Sequence, residues 1–476
     1  MKDKVRLFFV VLMAVLMVIG VGWKSSFGQS KEPIKIGVIA NMGWPVGKSA
    51  AQAVQLAVKH INDEGGLIGR PLKLLEADSK GQVPNAVAEY RKLVMTEHVS
   101  LIVVAEGGTL TIACQRAGGE LFKEYPHVMM NAGASALGIP KQVRDNYDQY
   151  EFCFTPYTTG PDRFAAAAWI NTYLIEHQVK PKPRKVAILG EDLLDYNPYW
   201  QGWPEYGLRP YADVVYKDRG IEVVYTTKIA VGEKMFLPIF EKIAASGAQY
   251  IDFAMSAYSD FYVLAKQWAT SATKDIPFWH SGVSPRYWEI TNGACLGLVG
   301  WWPSDILDYE VIGKTREYLK GFQKAYGYSG SNWLAEGAYD DVLFWAEGIR
   351  KTKATDAENL IKILEKTEAD GVRGKIKVNP IDHCSHNLPY KKGFVEECVK
   401  AIADAPLGEI SDKLKKVHTK YGFSSTYGIY PYGPLAPLSQ WQNDGKMILL
   451  WPPEVMQKTN PGQGYVSLKQ LRGRQN

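Results

Sequence analysis

Two short stretches, Glu106-Gly107-Gly108-Thr109 and Asn131-Ala132-Gly133-Ala134-Ser135, combine glycines with hydroxyl side chains. That composition suits an anion. Glycine lets main-chain N–H groups approach a ligand, and Thr109 and Ser135 add hydroxyl donors to a carboxylate. Ordinary strand-to-helix turns share the composition. Position separates the two readings, because open α/β sheets bind ligands beyond the carboxyl ends of their strands, where helix N-termini point. A third stretch, Gly43-Trp44-Pro45-Val46-Gly47-Lys48-Ser49, imitates a phosphate-binding loop, yet three residues separate its glycines where that loop needs four. Asp382, His383, Cys384 and His386 crowd too irregularly for a tetrahedral zinc site and read as a surface turn, so no metal is assigned. No nucleophile elbow or HExxH motif occurs, and neither catalytic residues nor a cofactor are assigned.

The elements that must position these loops follow from hydrophobic periodicity. Short apolar runs at 34–40, 72–77, 101–105 and 128–131 alternate with helical stretches at 49–64, after Pro84, and at 111–122. Val54, Ala57, Val58 and Ile61 share one face of the first helix, which Gly65 and Gly66 stop. This is the rhythm of an α/β, doubly wound parallel sheet. It restarts after Pro156 with a helix at 162–176, strands at 185–189, 223–227 and 250–254, and a helix at 235–245. A second lobe of the same class is expected. A strand at 295–300, helices at 315–326, 334–351 and 356–366, and a hairpin around Asn443-Asp444-Gly445 complete the series. The stretch 389–437 lacks the rhythm and reads as an insertion, and 456–476 as a C-terminal tail.

Lys2, Lys4 and Arg6 precede an apolar run from Leu7 to Val21, followed by the small residues Ser26 and Gly28. This pattern predicts a signal peptide over 1–28, cleavage near Gly28 and a periplasmic protein. The formal charge of +5 falls to about +2 without the leader's charged residues, which excludes a nucleic-acid or anionic-membrane partner. Five cysteines cannot all pair within the chain, and Cys384 with Cys398 is the candidate disulfide because these two are closest in sequence.

Asn62, Gly65, Gly66, Gly69, Leu72, Leu74 and Asp78 form the pattern NxxGGxxGxxLxLxxxD, directly after the first strand and helix. With the two glycine and hydroxyl loops and the terminal hairpin WQNDGKMILLWP, this resembles the branched-chain amino acid binding proteins of ABC importers, the type I periplasmic solute-binding family. The resemblance runs from about Ile34 to Pro452. It implies two lobes joined by a three-segment hinge, the first at 33–155 and 303–371, the second at 156–302 and 372–455. It also implies a monomer whose partners are a small carboxylate ligand and the importer's permease subunits. Carried over residue by residue, its ligand contacts fall on Trp44, on Gly107, Gly108 and Thr109, on Gly133 and Ser135, and on Tyr196 and Tyr258. One departure stands out. Where amino-acid binders carry an acid for the ligand's ammonium, this chain reads Phe278-Trp279-His280-Ser281-Gly282. Either Glu106 or Asp195 takes that role, or the ligand lacks an ammonium and meets His280, since a desolvated ammonium without a counter-charge is costly. The aromatic run from Asp195 onward points toward an aromatic or apolar acid. A soluble sensor of amides or amino acids shares this fold and is the first alternative; a secreted hydrolase is the second.

Overall fold

The computed structural model describes residues 32–156, 160–193, 196–204, 207–256, 259–280, 286–301, 314–330, 332–372, 374–384, 392–421, 438–451, 462 and 464–473. The expected leader lies outside these residues, as do Asp195, Tyr258, Ser281, Gly282, His386 and part of the expected insertion.

The first lobe is built on five parallel strands in the order β2-β1-β3-β4-β5. They are β1 (Ile34–Ala40), β2 (Leu72–Asp78), β3 (Leu101–Ala105), β4 (Val128–Asn131) and β5 (Cys153–Phe154). Every residue of β3 and β4 is buried, as expected for strands covered by helices on both faces. Helix α1 (Pro45–Asp63) starts with Pro at its first position and buries Val54, Ala57, Val58 and Ile61, matching the expected face. Its end explains the NxxGGxxG pattern. The Asn62 side chain both accepts from the Leu72 amide (2.7 Å) and donates to the Leu72 carbonyl (2.9 Å), clamping the start of β2. Gly66 has φ of +79°, and a Cβ there would lie 2.1 Å from the Arg70 carbonyl oxygen.

Helix α2 (Val83–Met95) and α3 (Gly108–Leu121) pack together beside this sheet. The chain then passes to the second lobe through α4 (Gly160–Tyr173), which continues as one wider turn at Leu174–Gln178. Seven strands follow in the order β14-β13-β10-β9-β8-β6-β7. The strands β6 (Lys185–Glu191), β7 (Glu222–Ile229), β8 (Tyr250–Met255), β9 (Phe278–His280) and β10 (Val299–Trp301) are parallel. The hairpin β13 (Leu438–Trp441) and β14 (Met447–Trp451) adds antiparallel to β10. Helices α5 (Leu237–Ala245) and α6 (Phe261–Thr270) contribute to a core on one face of this sheet.

Later segments return to both lobes. Helices α7 (Thr315–Tyr326) and α8 (Trp333–Thr352) pack on α1, and α8 also packs on β3 and β4, in the first lobe. The expected insertion carries two helices, α9 (Phe394–Asp404) and α10 (Ile410–Lys420); α9 packs on α4 and buries Phe394, Val395, Cys398 and Ile402. The proposed Cys384–Cys398 disulfide is absent, and both cysteines are buried. Cys384 bridges to Thr155 beside β5, whereas Cys398 faces α4 from α9, so the two sit on different layers. The tail is docked: Arg472 reaches Asp275 and covers the Trp268 ring, and Leu468 closes on Gly297.

Under the second sheet lies a buried polar network. Tyr216 donates to Asp252, Tyr250 donates to Asn171 (2.7 Å), and Asn171 donates to the Tyr211 hydroxyl (2.6 Å). Burial pushes the Asp252 carboxyl up to about 6 against the hydrogen bonds that favour its ionised form. Its raised value means that this group favours the folded state at acid pH, and that the contribution is lost as pH rises through about 6. Asp252→Asn, which cannot ionise, is therefore expected to melt higher relative to the parent at neutral pH than at pH near the ordinary carboxylate value. Melting curves across that range check it, and a constant gap contradicts it.

Candidate functional site

In the first sheet, β1 and β3 are the neighbours at which the strand order reverses; in the second, β6 and β8 are. Connections leave such strands in opposite directions, so a crevice opens beyond their carboxyl ends. A cleft lies there, walled by loops of both lobes, and its empty space is about 390 Å³ with the open mouth included. Trp44 follows β1, Glu106 and Gly108 follow β3, and Gly133, Ala134 and Ser135 follow β4. Trp333 and Leu334, from the start of α8, complete this first-lobe wall, and from the other side come Leu193 and Tyr196 after β6 and Arg163 from the first turn of α4.

Each loop has a local cause. The Asn131 side chain accepts from the Ala134 amide (2.9 Å) and donates to the Ala134 carbonyl (2.7 Å), which folds the loop so that Ser135 reaches the cleft. Gly133 is needed for close approach: a Cβ there would lie 2.5 Å from Leu334 Cδ1. Gly47, which made the first loop look like a phosphate binder, has a packing role, because a Cβ there would lie 2.3 Å from the Asn41 carbonyl oxygen. Trp44 meets Trp333 edge to face at 6.0 Å, giving the cleft an aromatic wall.

Arg163 is the residue that sequence reasoning missed. It is 92% buried, given its 8% exposure, and its Nη1 donates to Ser135 Oγ at 3.3 Å. Its guanidinium carbon lies 5.6 Å from the centre of the Tyr196 ring, within cation–π range. The signal was present: Arg163 stands at the head of an otherwise apolar run, Phe164 to Ile170, all of it buried. Trp333 and Leu334 were missed as well; Asn332, which caps α8 by accepting from the Ala335 amide (2.9 Å), was their local marker.

Glu106 faces the same cleft from the first lobe. The Ser79 hydroxyl donates to it, and the amides of Asn41 and Gly107 also reach it. Burial raises its carboxyl to about 7, with Asp78 adding to the rise and those donors opposing it.

The expected ligand residues are divided by the structure. Trp44, Gly108, Gly133, Ser135 and Tyr196 line the cleft, and Tyr258 lies outside the described residues. Gly107 is set back, serving as the cap of α3 and a donor to Glu106. Thr109 is exposed on the first turn of α3 and is not in the cleft wall. His280 is also absent from the wall: alternation along β9 puts it on the same face as Phe278, against Phe261 (5.0 Å) and Tyr287 (5.9 Å). Burial lowers its imidazole to about 3, so it stays neutral. Of the proposed surface cluster, His383 is fully buried, stacks on Phe154 at 4.1 Å and meets Glu365 at 3.0 Å. It ties the end of β5 to the segment returning from the first lobe. Among the described residues no group of three metal-ligating side chains occurs, and no helix is long and apolar enough to cross a membrane.

A family model described as periplasmic binding protein matches residues 33–387. No curated protein matches the sequence. Among solved structures, a putative branched-chain amino acid ABC transporter protein from Silicibacter pomeroyi superposes with a TM-score of 0.63 at 14% identity, covering 91% of this chain and 99% of that one. A solute-binding protein from R. palustris in complex with benzoate gives 0.62 at 15% identity, covering 88% and 95%. The branched-chain amino acid transporter substrate-binding protein of Streptococcus pneumoniae, in complex with isoleucine, gives 0.58 at 20% identity, covering 74% and 93%. At these identities the likeness is one of fold.

Placement of the two hydroxyls gives a test. Ser135→Ala removes the Arg163 acceptor and is expected to weaken a bound anion by about tenfold or more, the worth of a hydrogen bond to a charged group. Thr109→Val should leave binding within twofold or so, since surface changes away from a site usually cost little. Titration of both variants against a ligand of the parent protein checks the assignment; the reverse ranking contradicts it.

Proposed function

This chain belongs to the periplasmic binding protein family, and from that premise we propose that it is the exported substrate-binding protein of an ABC importer, closing two lobes around a small carboxylate. The observation that carries the reading is the buried Arg163 guanidinium in the cleft wall, held by Ser135 of the other lobe and by the Tyr196 ring. A guanidinium has five N–H donors in a rigid fork that fits a carboxylate. The amide end of α3 at Gly108 adds positive potential from the first lobe. Around this anion site, Trp44, Trp333, Tyr196, Leu193 and Leu334 supply an apolar body.

The ligand we propose is an aromatic or branched apolar acid. With His280 turned into the aromatic core and no acid in 278–280, the second lobe offers no carboxylate there for an ammonium. The structural relatives that hold benzoate and isoleucine mark the two classes to be compared. The three crossings between the lobes, at about 155/156, 302/303 and 371/372, would act together as the hinge, and the protein would work as a periplasmic monomer, released from its leader near Gly28, that docks on permease subunits when closed.

Titration calorimetry with benzoate, isocaproate and leucine decides the ligand class. Benzoate or isocaproate is expected to bind and leucine, the amine-bearing counterpart of isocaproate, to bind at least about tenfold more weakly for want of a partner for its ammonium. Leucine binding tighter than isocaproate contradicts it. Arg163→Gln should weaken the acid by about tenfold or more. Small-angle scattering with the bound acid should show a smaller radius of gyration, and an unchanged radius argues against hinge closure.

A further inference from the structure

Glu106 is a carboxyl group in the wall of a cleft read above as an anion site, and this inference rests on that reading. Two negative groups in one small, poorly hydrated space repel strongly. The charged and titratable groups around Glu106 offer little relief. After β2, Asp78 adds negative charge and Ser79 donates its hydroxyl; after β1 and β3, the amides of Asn41 and Gly107 donate; from α3 comes the Cys114 thiol, which burial pushes up to about 12. Across the cleft stands Arg163, which donates to Ser135. No Lys, Arg or His among the described residues forms an ion pair with Glu106.

Ser79 Oγ accepts from the Gly81 amide at 3.0 Å and donates to Glu106 Oε1, so one carboxyl oxygen already has a donor from behind the cleft wall. A neutral carboxyl with one oxygen satisfied from behind can present an O–H to a ligand oxygen, whereas the ionised group offers only repelling lone pairs.

We propose that Glu106 is a ligand-contacting residue that meets a carboxylate ligand as the neutral acid, donating a hydrogen bond from its carboxyl, so that binding takes up one proton from solvent. The proton adds to Glu106, the ligand stays ionised, and Arg163 keeps its charge, so the occupied cleft carries no excess negative charge. Burial and Asp78 already bring the free group close to neutrality near pH 7, and the ligand completes the shift. Glu106 thereby selects against ligands by charge: it accepts a monoanion only with a proton, and it would remain ionised beside an ammonium.

Titration calorimetry of the full mature protein with benzoate, whose carboxyl stays ionised throughout, tests this between pH 6 and pH 8. Affinity is expected to fall by about tenfold over that range, because the neutral fraction of a group titrating near 7 falls by about that factor. At pH 8, runs in phosphate and in Tris, which differ in ionisation heat, should report uptake of close to one proton per ligand. Glu106→Gln, which keeps the shape and the neutral charge, should bind with an affinity that no longer depends on pH. If that variant does not fold, the two-buffer measurement on the parent protein still decides. Benzoate binding with no proton uptake and equal affinity at both pH values overturns this role for Glu106 while leaving the carboxylate reading intact. If neither benzoate nor isocaproate binds at pH 6, where Glu106 is already neutral, both fall. Proton release with leucine as the tighter ligand overturns the role as well, and assigns Glu106 to an ammonium instead.

Discussion

The reversal of strand order at β1/β3 and again at β6/β8 is the constraint on which the site depends. A parallel sheet must send successive helices to one face or the other, and only where the direction changes do two neighbouring loops part instead of crossing. In the first lobe those loops bear Trp44 and Glu106; in the second, the loop after β6 bears Leu193 and Tyr196. Two such crevices facing one another create a cleft without any dedicated cavity in either core. The cores can then be close-packed and ordinary, and the ligand determinants sit on loops that the sheets hold still.

Buried polar groups divide into those that complete the fold and those that face the cleft. His127 is of the first kind: burial lowers its imidazole to about 4, its Nδ1–H donates to the Tyr125 carbonyl (2.7 Å), and its Nε2 accepts from the Tyr90 hydroxyl (2.7 Å). Asp252 and its tyrosines are similar, with protein donors on the carboxylate. Such networks fix one arrangement because every alternative leaves a group without its partner. Glu106 and Arg163 differ, since both border the cleft: the Ser79 hydroxyl donates to Glu106, and Arg163 meets Ser135 and the Tyr196 ring.

Much of the scaffold was legible because it depends on short-range patterns. Alternating apolar runs marked β1 to β4, the apolar face of α1 was correct residue for residue, and Asn443-Asp444-Gly445 marked the hairpin β13/β14. Glycine was harder to read. Gly47 looked functional and packs against Asn41, while Gly133 looked functional and does border the cleft; the same residue type serves both ends, and only the partner atom tells them apart. Thr109, two residues past the Gly107 cap, falls on the exposed side of the first turn of α3 and outside the cleft wall, a facing that the loop composition does not encode. His280 failed because β9 is so short that its face is set by Phe278, two residues earlier. The disulfide failed because sequence separation says nothing about layers, and the chain between Cys384 and Cys398 moves from β5 to α4.

Arg163 shows why the most informative residue was the hardest to see. Its importance comes from contacts with Ser135, 28 positions earlier, and with the Tyr196 ring, neither of which any local period encodes. The same neighbourhood also bears on motion. The Gly160 amide donates to the Ser135 carbonyl (2.9 Å), and Arg163 donates to its hydroxyl, so the first turn of α4 is fastened to the first lobe just where the chain crosses. In a rotation about the crossings, displacement grows with distance from the pivot. Ser135 and Arg163 therefore lie close to the pivot, and the Tyr196 ring, 5.6 Å from the guanidinium, lies there with them, while Trp44 and Trp333 form an aromatic wall on first-lobe elements alone.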